Sequence, residues 1–352
     1  SYQTSSSPSQ KNELPDGCQN HKEGIQKILD IFDQEKNYPG SADLIVHRVV
    51  HGGTKYRHAS LLDLEVKQFI RDMIPLARTH HPASLACIEE ISEHFPEIPQ
   101  AVVFDTSFHQ TLPEYAWRYA LPRKISDQYA IRRYGFHGIS HQSVVKQAAS
   151  FLKTPVNKLN LITIHLGNGA SISAIKKGIC VDTTMGMTPL EGLVMGTRPG
   201  DLDPGILTLL ARKGWNQEAL ETMLNQDSGM KGLCGTNDFR EILQNKEEGN
   251  EEAEMALELY CYRVRKTIGS FSTVIGPVDA LVFTGGVGEN VPRVRERSVR
   301  GMEWMNIQLD PDMNDHAEAP CAIHSKDSQT KILVLPSDEE WEMASQAAEL
   351  IL

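Results

Sequence analysis

Two isolated arginines and one aspartate at a strand end are the residues of this sequence best suited to chemistry on a phosphate or carboxylate. Arg48 lies between a short apolar strand and a Gly-Gly turn, and Arg198 lies in a long loop rich in glycine and proline. A guanidinium offers a planar pair of donors that matches either anion. Asp105 follows the apolar run 101–104, and ligands of α/β folds gather at the carboxyl ends of strands. A structural ion pair is the alternative for Arg48, and a helix N-cap is the alternative for Asp105.

A glycine-rich hairpin is the clearest turn signal in the chain. Residues 161–175 read as two strands of alternating apolar and polar residues joined by a Gly-Asn-Gly turn at 167–169. Asn-Gly between two such runs predicts a hairpin. Glycine lets a phosphate approach the main chain closely, and the side chains of His165 and Ser171 can donate hydrogen bonds to it. The turn is therefore a candidate phosphate site, with an ordinary hairpin as the alternative.

Histidines are concentrated before a predicted helix. Residues 132–141 contain two arginines, two glycines, His137 and His141, and they lead into a helix predicted over 142–152. The amino end of a helix favours a negatively charged ligand. A capped helix start, with one of the two histidines as a bystander, is the alternative. His80 and the histidine after it have no carboxylate or cysteine at metal-ligand spacing, so we expect a loop histidine that touches substrate or is simply exposed.

Further strand and helix ends carry polar residues. Strand 280–284 ends in the glycine-rich turn 285–290, a nucleotide-type turn that is weak evidence by itself. Strand 331–335 is followed by carboxylates at 338–340. These carboxylates could position Mg²⁺ through water, or they could only complement the dipole of the last helix. Asp238 precedes a short helix, where its competing role is an N-cap.

Length and charge narrow the class of protein. With 352 residues the chain is long enough for two domains, and its 40% hydrophobic content supports globular burial. The excess of 46 acidic over 35 basic residues, a net charge of -11, argues against nucleic-acid binding. Six scattered cysteines form no Cys-x-x-Cys pair, and no apolar run is long enough to span a bilayer. We expect a cytoplasmic α/β protein in which most cysteines are buried thiols.

The elements that must position these segments follow from apolar periodicity. Amphipathic helices are predicted over 23–32, 61–77 and 252–275, and residues 1–20 read as a polar tail.

Two glycine-rich turns, two arginines and strand-end carboxylates together suit phosphoryl transfer, which needs positioning and charge stabilisation. The sequence has no Walker A motif and no protein-kinase set of loops, so we expect a third class of phosphotransferase.

Six motifs of the chain, in their order, closely resemble those of the acetate kinase family. The similarity extends from about Leu14 to the carboxyl terminus. The motifs are His47-Arg-Val-Val-His-Gly-Gly53, Val103-Phe-Asp-Thr-Ser-Phe-His-Gln110, Tyr134-Gly-Phe-His-Gly-Ile-Ser-His141, His165-Leu-Gly-Asn-Gly169, Met195-Gly-Thr-Arg198 and Phe283-Thr-Gly-Gly-Val-Gly-Glu-Asn290.

The resemblance implies the two-domain actin-like ATPase fold, which is ribonuclease H-like α/β, and a homodimer. After the polar tail over 1–20, the resemblance implies an amino-terminal acyl-substrate domain over 21–104 plus 341–352 and a carboxyl-terminal nucleotide-binding domain over 105–340. The family opens with a strand and an Asn-x-Gly-Ser-Ser-Ser-x-Lys loop that grips phosphate, and nothing before His47 matches that loop. We therefore expect an amino-terminal domain without its first strands, through truncation or in a paralogue that has lost the loop.

The reaction implied by the resemblance is reversible transfer of the γ-phosphoryl group of ATP to acetate, which gives acetyl phosphate and ADP. Arg48 and Arg198 would hold the carboxylate and the transferring phosphoryl group. Asp105 would be the essential acidic residue, and His137 would stabilise the phosphoryl oxygens. Glu339 matches the glutamate linked to Mg²⁺ or Mn²⁺. The substrate pocket would contain Val50, His80, Phe136 and Pro189, and ATP would contact His165, Leu166, Gly167, Asn168, Gly169, Asp238, Phe239, Arg240, Gly286, Val287, Gly288, Glu289 and Asn290.

Two alternatives stay open at this point. Propionate kinase differs by one methylene, worth only ~1–3 kcal/mol of discrimination, and Thr79 stands where the family usually has an apolar pocket residue. The absent loop motivates the second alternative, a non-catalytic nucleotide-binding paralogue. In that case this chain would have no kinase activity. A metal-dependent hydrolase is disfavoured, because the spacing of the 13 histidines fits no usual zinc pattern.

Overall fold

The computed structural model describes residues 2–4, 7–10, 23–27, 30, 42–77 and 80–352. Strands β1 (Tyr2–Thr4) and β2 (Ser7–Gln10) pair antiparallel, so these residues of the expected polar tail have regular structure. Residues 23–27 are helical, as the apolar periodicity predicts. The remainder of the expected tail and most of the remainder of the 23–32 helix lie outside the described residues.

The segment 45–104 contains the strands of a three-stranded sheet. Its order is β3 (Ile45–Val49), β5 (Gln100–Phe104) and β4 (Ser60–Leu61), with β3 parallel and β4 antiparallel to β5. Helices α1 (Leu64–Asp72) and α2 (His81–His94) connect β4 to β5, pack against each other, and are separated by a 3₁₀ turn at Ile74–Leu76. Every residue of the central strand β5 is buried.

Short helices connect this sheet to a second one. A 3₁₀ turn at Ser107–Thr111 is followed by α3 (Glu114–Trp117) and α4 (Arg123–Gln128). The longer α5 (Gly138–Phe151) then packs on both the small sheet and the large one, before a 3₁₀ turn at Val156–Lys158. Nine of its residues are buried, which is typical of a helix covered on several sides.

The second sheet has six strands in the order β10-β11-β9-β6-β7-β8. The predicted hairpin is confirmed, because β6 and β7 pair antiparallel with Leu166 opposite Ala170. Strand β9 is parallel to both β6 and β11. The strands are β6 (Leu161–Leu166), β7 (Ala170–Lys176), β8 (Ile179–Thr183), β9 (Ala280–Thr284), β10 (Cys321–Ala322) and β11 (Lys331–Val334).

Helices cover this sheet, and the longest of them, α10 (Glu251–Ile275), packs its apolar face on β7. No helix of the described chain is both long and apolar enough to cross a membrane. The helices are α6 (Pro204–Arg212), α7 (Gln217–Gln226), α8 (Gly229–Cys234), α9 (Phe239–Glu247), α10 (Glu251–Ile275), α11 (Gly285–Asn290), α12 (Pro292–Val299), α13 (Pro311–Asp315) and α14 (Glu339–Ala348), with a 3₁₀ turn at Glu303–Met305.

The last helix joins the two sheets. Helix α14 packs against α5 and against strands β3 and β5. Lys146 Nζ lies 2.7 Å from Glu342 Oε1, and Ser143 Oγ donates to the Asp338 carbonyl at 3.2 Å. This arrangement brings Glu339, at the start of α14, close to Arg48 near the carboxyl end of β3. The predicted domain boundaries at 104–105 and 340–341 stay predictions.

Two local expectations were wrong, and one helix was not predicted. The short apolar strand expected before Arg48 runs over Ile45–Val49, so Arg48 is part of it. Helix α2 was not predicted, and it starts with a proline in its first turn, where the missing N–H costs nothing. The expected turn 285–290 is the short helix α11, preceded by Thr284 in extended conformation.

The contact between α5 and the end of β5 generates a stability prediction. A Cβ added at Gly138 would lie 2.2 Å from the main-chain oxygen of Asp105, which accepts the Gly138 N–H at 2.9 Å. We expect Gly138→Ala to push α5 away from β5 and to lower the free energy of unfolding by about 1–3 kcal/mol, measured by urea denaturation.

The matched control is Gly269→Ala within α10, where an added Cβ meets nothing within 4 Å. Replacing glycine by alanine inside a helix stabilises it by roughly 0.5–1 kcal/mol. Equal stabilities of the two variants would contradict the close approach at Gly138.

Candidate active site

Arg48 lies between two carboxylates from distant parts of the chain. Its Nε and Nη2 donate to Asp105 Oδ1 and Oδ2, both at 2.9 Å, and its Nη1 donates to Glu339 Oε2 at 2.6 Å. Asp105 directly follows β5, and Glu339 is the first residue of α14. The 3₁₀ turn after β5 has no side-chain cap, so Asp105 is an ion-pair partner and not an N-cap.

Burial and charge act in opposite directions on this cluster. Burial raises the pKa of Asp105, and the guanidinium of Arg48 opposes that rise. Burial also raises the pKa of Glu339, with the same opposition from Arg48. Burial would lower the pKa of Arg48, but Asp105 and Glu339 outweigh it and raise that pKa above its usual value. The guanidinium therefore stays charged and neutralises part of the carboxylate pair.

A cavity of about 410 Å³ lies beside this cluster. All eight residues that the sequence assigns to catalysis or substrate binding line it, so the structure brings them together. The lining also includes Ala83 and Ser84 of α2, which the sequence analysis missed because it did not identify that helix. The ten residues are Arg48, Val50, His80, Ala83, Ser84, Asp105, Phe136, His137, Pro189 and Arg198.

Arg198 is the second cation of this cavity. Its Nη1 donates to the Pro189 carbonyl at 2.6 Å, and no carboxylate of the described residues pairs with it. The loop behind it is fixed, because the Met195 N–H donates to the Arg198 carbonyl at 3.0 Å. A Cβ added to Gly169 would lie 2.9 Å from Arg198 Nη2. Glycine at the hairpin turn therefore lets Arg198 approach the main chain, with its charge available to an anion.

His137 lines the same cavity from the start of α5. It adopts a left-handed backbone conformation with φ 55°, which is uncommon for a residue other than glycine. Its ring stacks on His165 at a centroid distance of 4.4 Å. Burial, with nearby His165, lowers the pKa of His137 well below its ordinary value, and burial lowers the pKa of His165 to about 4. Both rings are therefore neutral at pH 7.

The hairpin turn that the sequence assigns to ATP phosphates is held by main-chain contacts. The Gly167 N–H donates to the Gly169 carbonyl at 2.8 Å. Asn168 accepts from the Gly196 N–H through its carbonyl and from Asn237 Nδ2 through Oδ1, both at 2.9 Å. These bonds tie the turn to the loop that carries Arg198.

Two of the predicted nucleotide residues have side chains in the core. Leu166 is fully buried in β6, and Phe239 is 6% exposed and packs edge-on against Tyr260 at 5.0 Å. Asp238 is the N-cap of α9, where it accepts the Arg240 N–H at 2.9 Å and pairs with the Arg240 guanidinium. The N-cap alternative for Asp238 is therefore realised, and a nucleotide role for 238–240 stays a prediction.

The segment 286–290 is held in place by hydrogen bonds of Glu289 and of the buried Arg295. Glu289 Oε1 accepts the N–H groups of Gly285 at 2.9 Å and Ser337 at 3.1 Å, so this carboxylate links the ends of two parallel strands. The fully buried Arg295 donates to the carbonyls of Gly288 and Glu289 at 2.9 and 2.8 Å. Gly286 and Asn290 remain exposed. Sequence reasoning missed Arg295, because only its burial in the fold shows its structural role.

Asp105 and Glu339 are the candidate metal residues. They offer oxygen donors only, a set that suits a hard cation such as Mg²⁺ better than zinc. Among the described residues no group of three or more His, Cys, Asp or Glu could hold a metal ion. A cation beside these two carboxylates would complete its coordination with water and substrate phosphate oxygens, which is how Mg²⁺ is commonly bound.

The other histidine and cysteine expectations have mixed outcomes. The second residue of the His80 pair, His81, is buried in the first turn of α2, and its Nδ1 donates to the Ile70 carbonyl at 3.0 Å. The expectation of a loop position for it was therefore wrong. All five described cysteines are free thiols, but only Cys180 and Cys261 are buried; Cys18 lies outside the described residues.

Fold and site together define a phosphotransferase of the actin-like ATPase type. A family model described as the Acetokinase family matches residues 2–345. The chain belongs to this family.

Individual relatives agree with this assignment. The acetate kinase of Sulfurovum sp. (strain NBC37-1) is 47% identical over 356 residues, covering 100% of this chain and 90% of its own. The crystal structure of Porphyromonas gingivalis acetate kinase superimposes with a TM-score of 0.89 at 40% identity, over 95% of this chain and 85% of that one. A propionate kinase from Francisella tularensis has a TM-score of 0.89 at 39% identity, over 93% and 84%.

The buried histidines predict how stability depends on pH. Burial lowers the pKa of His109 to about 4, and its Nε2 bonds to the Phe136 carbonyl at 2.9 Å. An unfolded histidine titrates near pH ~6.5. The stabilising contribution of the neutral ring is therefore complete above pH ~6.5 and is lost as pH falls towards 4. We expect the free energy of unfolding to decrease over this range, and the decrease to be smaller in His109→Gln.

Urea denaturation at pH 7 and pH 5 measures this difference between the wild type and His109→Gln. The exposed His58→Gln serves as the control and should keep the wild-type pH dependence. An identical pH dependence for His109→Gln and the wild type would show that His109 is not buried in a neutral form.

Proposed function

We propose that this protein is an acetate kinase that transfers the γ-phosphoryl group of ATP to acetate in a reversible reaction. The observation that carries the proposal is the single cavity in which Arg48, Asp105, His137 and Arg198 converge beside an apolar pocket. Membership of the Acetokinase family supports the same reaction. ATP and ADP are then the nucleotide substrates, and acetyl phosphate is the product.

The cavity offers what in-line phosphoryl transfer requires. One acetate oxygen attacks the γ-phosphorus while the bond from that phosphorus to the β,γ-bridging oxygen breaks and ADP leaves. Arg198 has no carboxylate partner among the described residues, so its charge is available to the acetate and the transferring phosphoryl group. Arg48 supplies the second guanidinium, and the neutral His137 can donate a hydrogen bond without adding charge. Such donors stabilise charge that spreads over the equatorial oxygens.

Asp105 and Glu339 are the residues that we expect to hold a divalent cation, Mg²⁺ or Mn²⁺. A cation there would neutralise charge on the β- and γ-phosphates of ATP. The two carboxylates flank Arg48 in the structure, which keeps them 2.9 and 2.6 Å from its nitrogens and prevents their mutual repulsion. The same guanidinium thus holds both carboxylates close to each other beside the cavity.

Apolar side chains in the cavity suit the methyl or ethyl group of a short carboxylate. Val50, Phe136 and Pro189 supply apolar surface, and Ala83 adds a methyl group from α2. Propionate is the second candidate substrate, because a propionate kinase superimposes as well as an acetate kinase does. One methylene changes binding by only ~1–3 kcal/mol, so the ratio of kcat/KM for acetate and propionate decides between them.

We also propose a homodimer in the cytoplasm. None of the nine described residues of α6 is buried, and its Ile206 and Leu209 are about half exposed. An apolar helix face without cover is typical of a surface that packs against another copy. The five described cysteines form no disulfide, in keeping with a reducing compartment. Sedimentation of the wild type and of Leu209→Glu would test the dimer.

Removing either arginine should abolish most activity. We expect Arg48→Ala and Arg198→Ala to lower kcat by about 10²-fold or more, because each removes a preorganised charge from the transition state. Arg300→Ala is the matched control, since Arg300 is exposed and, within the described residues, its side chain pairs with Glu258 alone. Equal kcat values for all three variants would refute the assigned roles.

Trapping the product with hydroxylamine tests the function itself. Purified protein with ATP, Mg²⁺ and acetate should form acethydroxamate, and omission of acetate should abolish the signal. ATP binding by calorimetry without any hydroxamate would favour the alternative of a non-catalytic nucleotide-binding paralogue.

A further inference from the structure

A chain of buried hydrogen bonds extends from His137 away from the cavity. Its Nδ1 lies 2.9 Å from Ser171 Oγ, and the same hydroxyl lies 2.8 Å from His141 Nε2. The other nitrogen of that ring, His141 Nδ1, lies 2.8 Å from Thr163 Oγ1. Ser171, His141 and Thr163 are all 0% exposed. Solvent therefore has no access to these three side chains.

Two strands and one helix hold this chain of hydrogen bonds in place. Thr163 belongs to β6 and Ser171 to β7, which are paired by the hairpin register. His141 lies in the first turn of α5, four residues after His137, so both rings face the same side of that helix. Burial lowers the pKa of His137 and of His141 well below the ordinary value, with neighbouring histidines adding to the effect. Both imidazoles are thus neutral and carry one ring proton each.

The number of available hydrogens allows two directions for this chain of hydrogen bonds. The Ser171 hydroxyl has one hydrogen, so it donates to one of its two histidine partners and accepts from the other. If it donates to His137 Nδ1, then His137 has its proton on Nε2, His141 donates from Nε2, and Thr163 donates to His141 Nδ1. If it donates to His141 instead, all the bonds reverse, and His137 presents an unprotonated Nε2.

Thr163 distinguishes the two arrangements. In the described part of the chain its hydroxyl has His141 Nδ1 as its hydrogen-bond partner and no other. In the first arrangement the Thr163 hydrogen is used in that bond. In the reversed arrangement the hydroxyl only accepts, and its hydrogen is left unpaired at a site without solvent. An unpaired buried donor is unfavourable, so the first arrangement is preferred.

We propose that Ser171, His141 and Thr163 are positioning residues that hold His137 as the tautomer with its proton on Nε2. That nitrogen faces the reaction site, because a Cβ added to Gly169 would lie 3.0 Å from it and 2.9 Å from Arg198 Nη2. A protonated Nε2 can donate to a phosphoryl oxygen held there by Arg198, whereas an unprotonated Nε2 would repel it. No proton is transferred, because His137 acts only as a neutral donor. This role rests on the phosphoryl transfer proposed above.

The test combines the tautomer with turnover. In protein labelled with ¹⁵N-histidine, the shifts of the His137 ring nitrogens should show a protonated Nε2 in the wild type. Ser171→Ala should increase the form protonated on Nδ1. Ser171→Ala should also lower kcat about ten- to hundredfold, which is at most the effect of removing a whole hydrogen-bond donor. The KM for acetate should stay within about threefold of the wild-type value. Ser171→Thr keeps the hydroxyl and should restore both readouts.

Ser173→Ala is the matched control, since Ser173 is equally buried two residues along β7 and bonds to Thr183 Oγ1 at 3.0 Å, outside the chain. Thr163→Val keeps the shape of the side chain and removes only its hydroxyl, the last donor of the hydrogen-bond chain. It should therefore shift the His137 tautomer in the same direction as Ser171→Ala, and it replaces that variant if Ser171→Ala does not fold. A wild-type His137 protonated on Nδ1 would overturn the proposal, as would variants at 171 and 163 that behave like Ser173→Ala. The tautomer is read without turnover, so absence of kinase activity would reject the proposed function separately.

Discussion

The ion pair between Arg48 and Asp105 is the interaction on which the rest of this site depends. Two carboxylates, Asp105 and Glu339, lie within hydrogen-bonding distance of one guanidinium. Without Arg48 they would repel each other in a partly buried position, and breaking such a pair leaves an uncompensated charge. The three residues belong to β3, the end of β5 and the start of α14. The site can therefore form only when the last helix packs against the three-stranded sheet of β3, β4 and β5.

A second constraint is the absence of positive charge on the histidines beside these groups. His137, His141 and His165 lie close together and near the two arginines, and burial keeps all three neutral. The hydroxyls of Ser171, Thr163 and Ser140 bond to the Nδ1 atoms of His137, His141 and His165, and Ser171 also bonds to His141 Nε2. The arginines then supply the positive charge of the cavity, and the histidines contribute direction through hydrogen bonds. This division suits a transition state whose charge is spread over several oxygens.

Much of the site was predictable from local patterns, because strand ends, glycine turns and isolated arginines are visible in sequence. The hairpin of β6 and β7 and the position of Asp105 after β5 are confirmed. Helix α2 was not predicted, since its apolar residues alternate with small and acidic ones without a clear helical face, and with it Ala83 and Ser84 were missed. The roles of Arg295 and Glu289 as internal partners depend on contacts between distant segments, which spacing along the chain does not reveal.

A double-mutant cycle of Arg48→Ala and Asp105→Ala, measured as kcat/KM for acetate, tests the central claim most directly. If the two residues act as one unit, the double variant should lose little more activity than the more impaired single variant, a strongly non-additive result. Losses that multiply in the double variant would show that Arg48 and Asp105 act independently and would contradict the account.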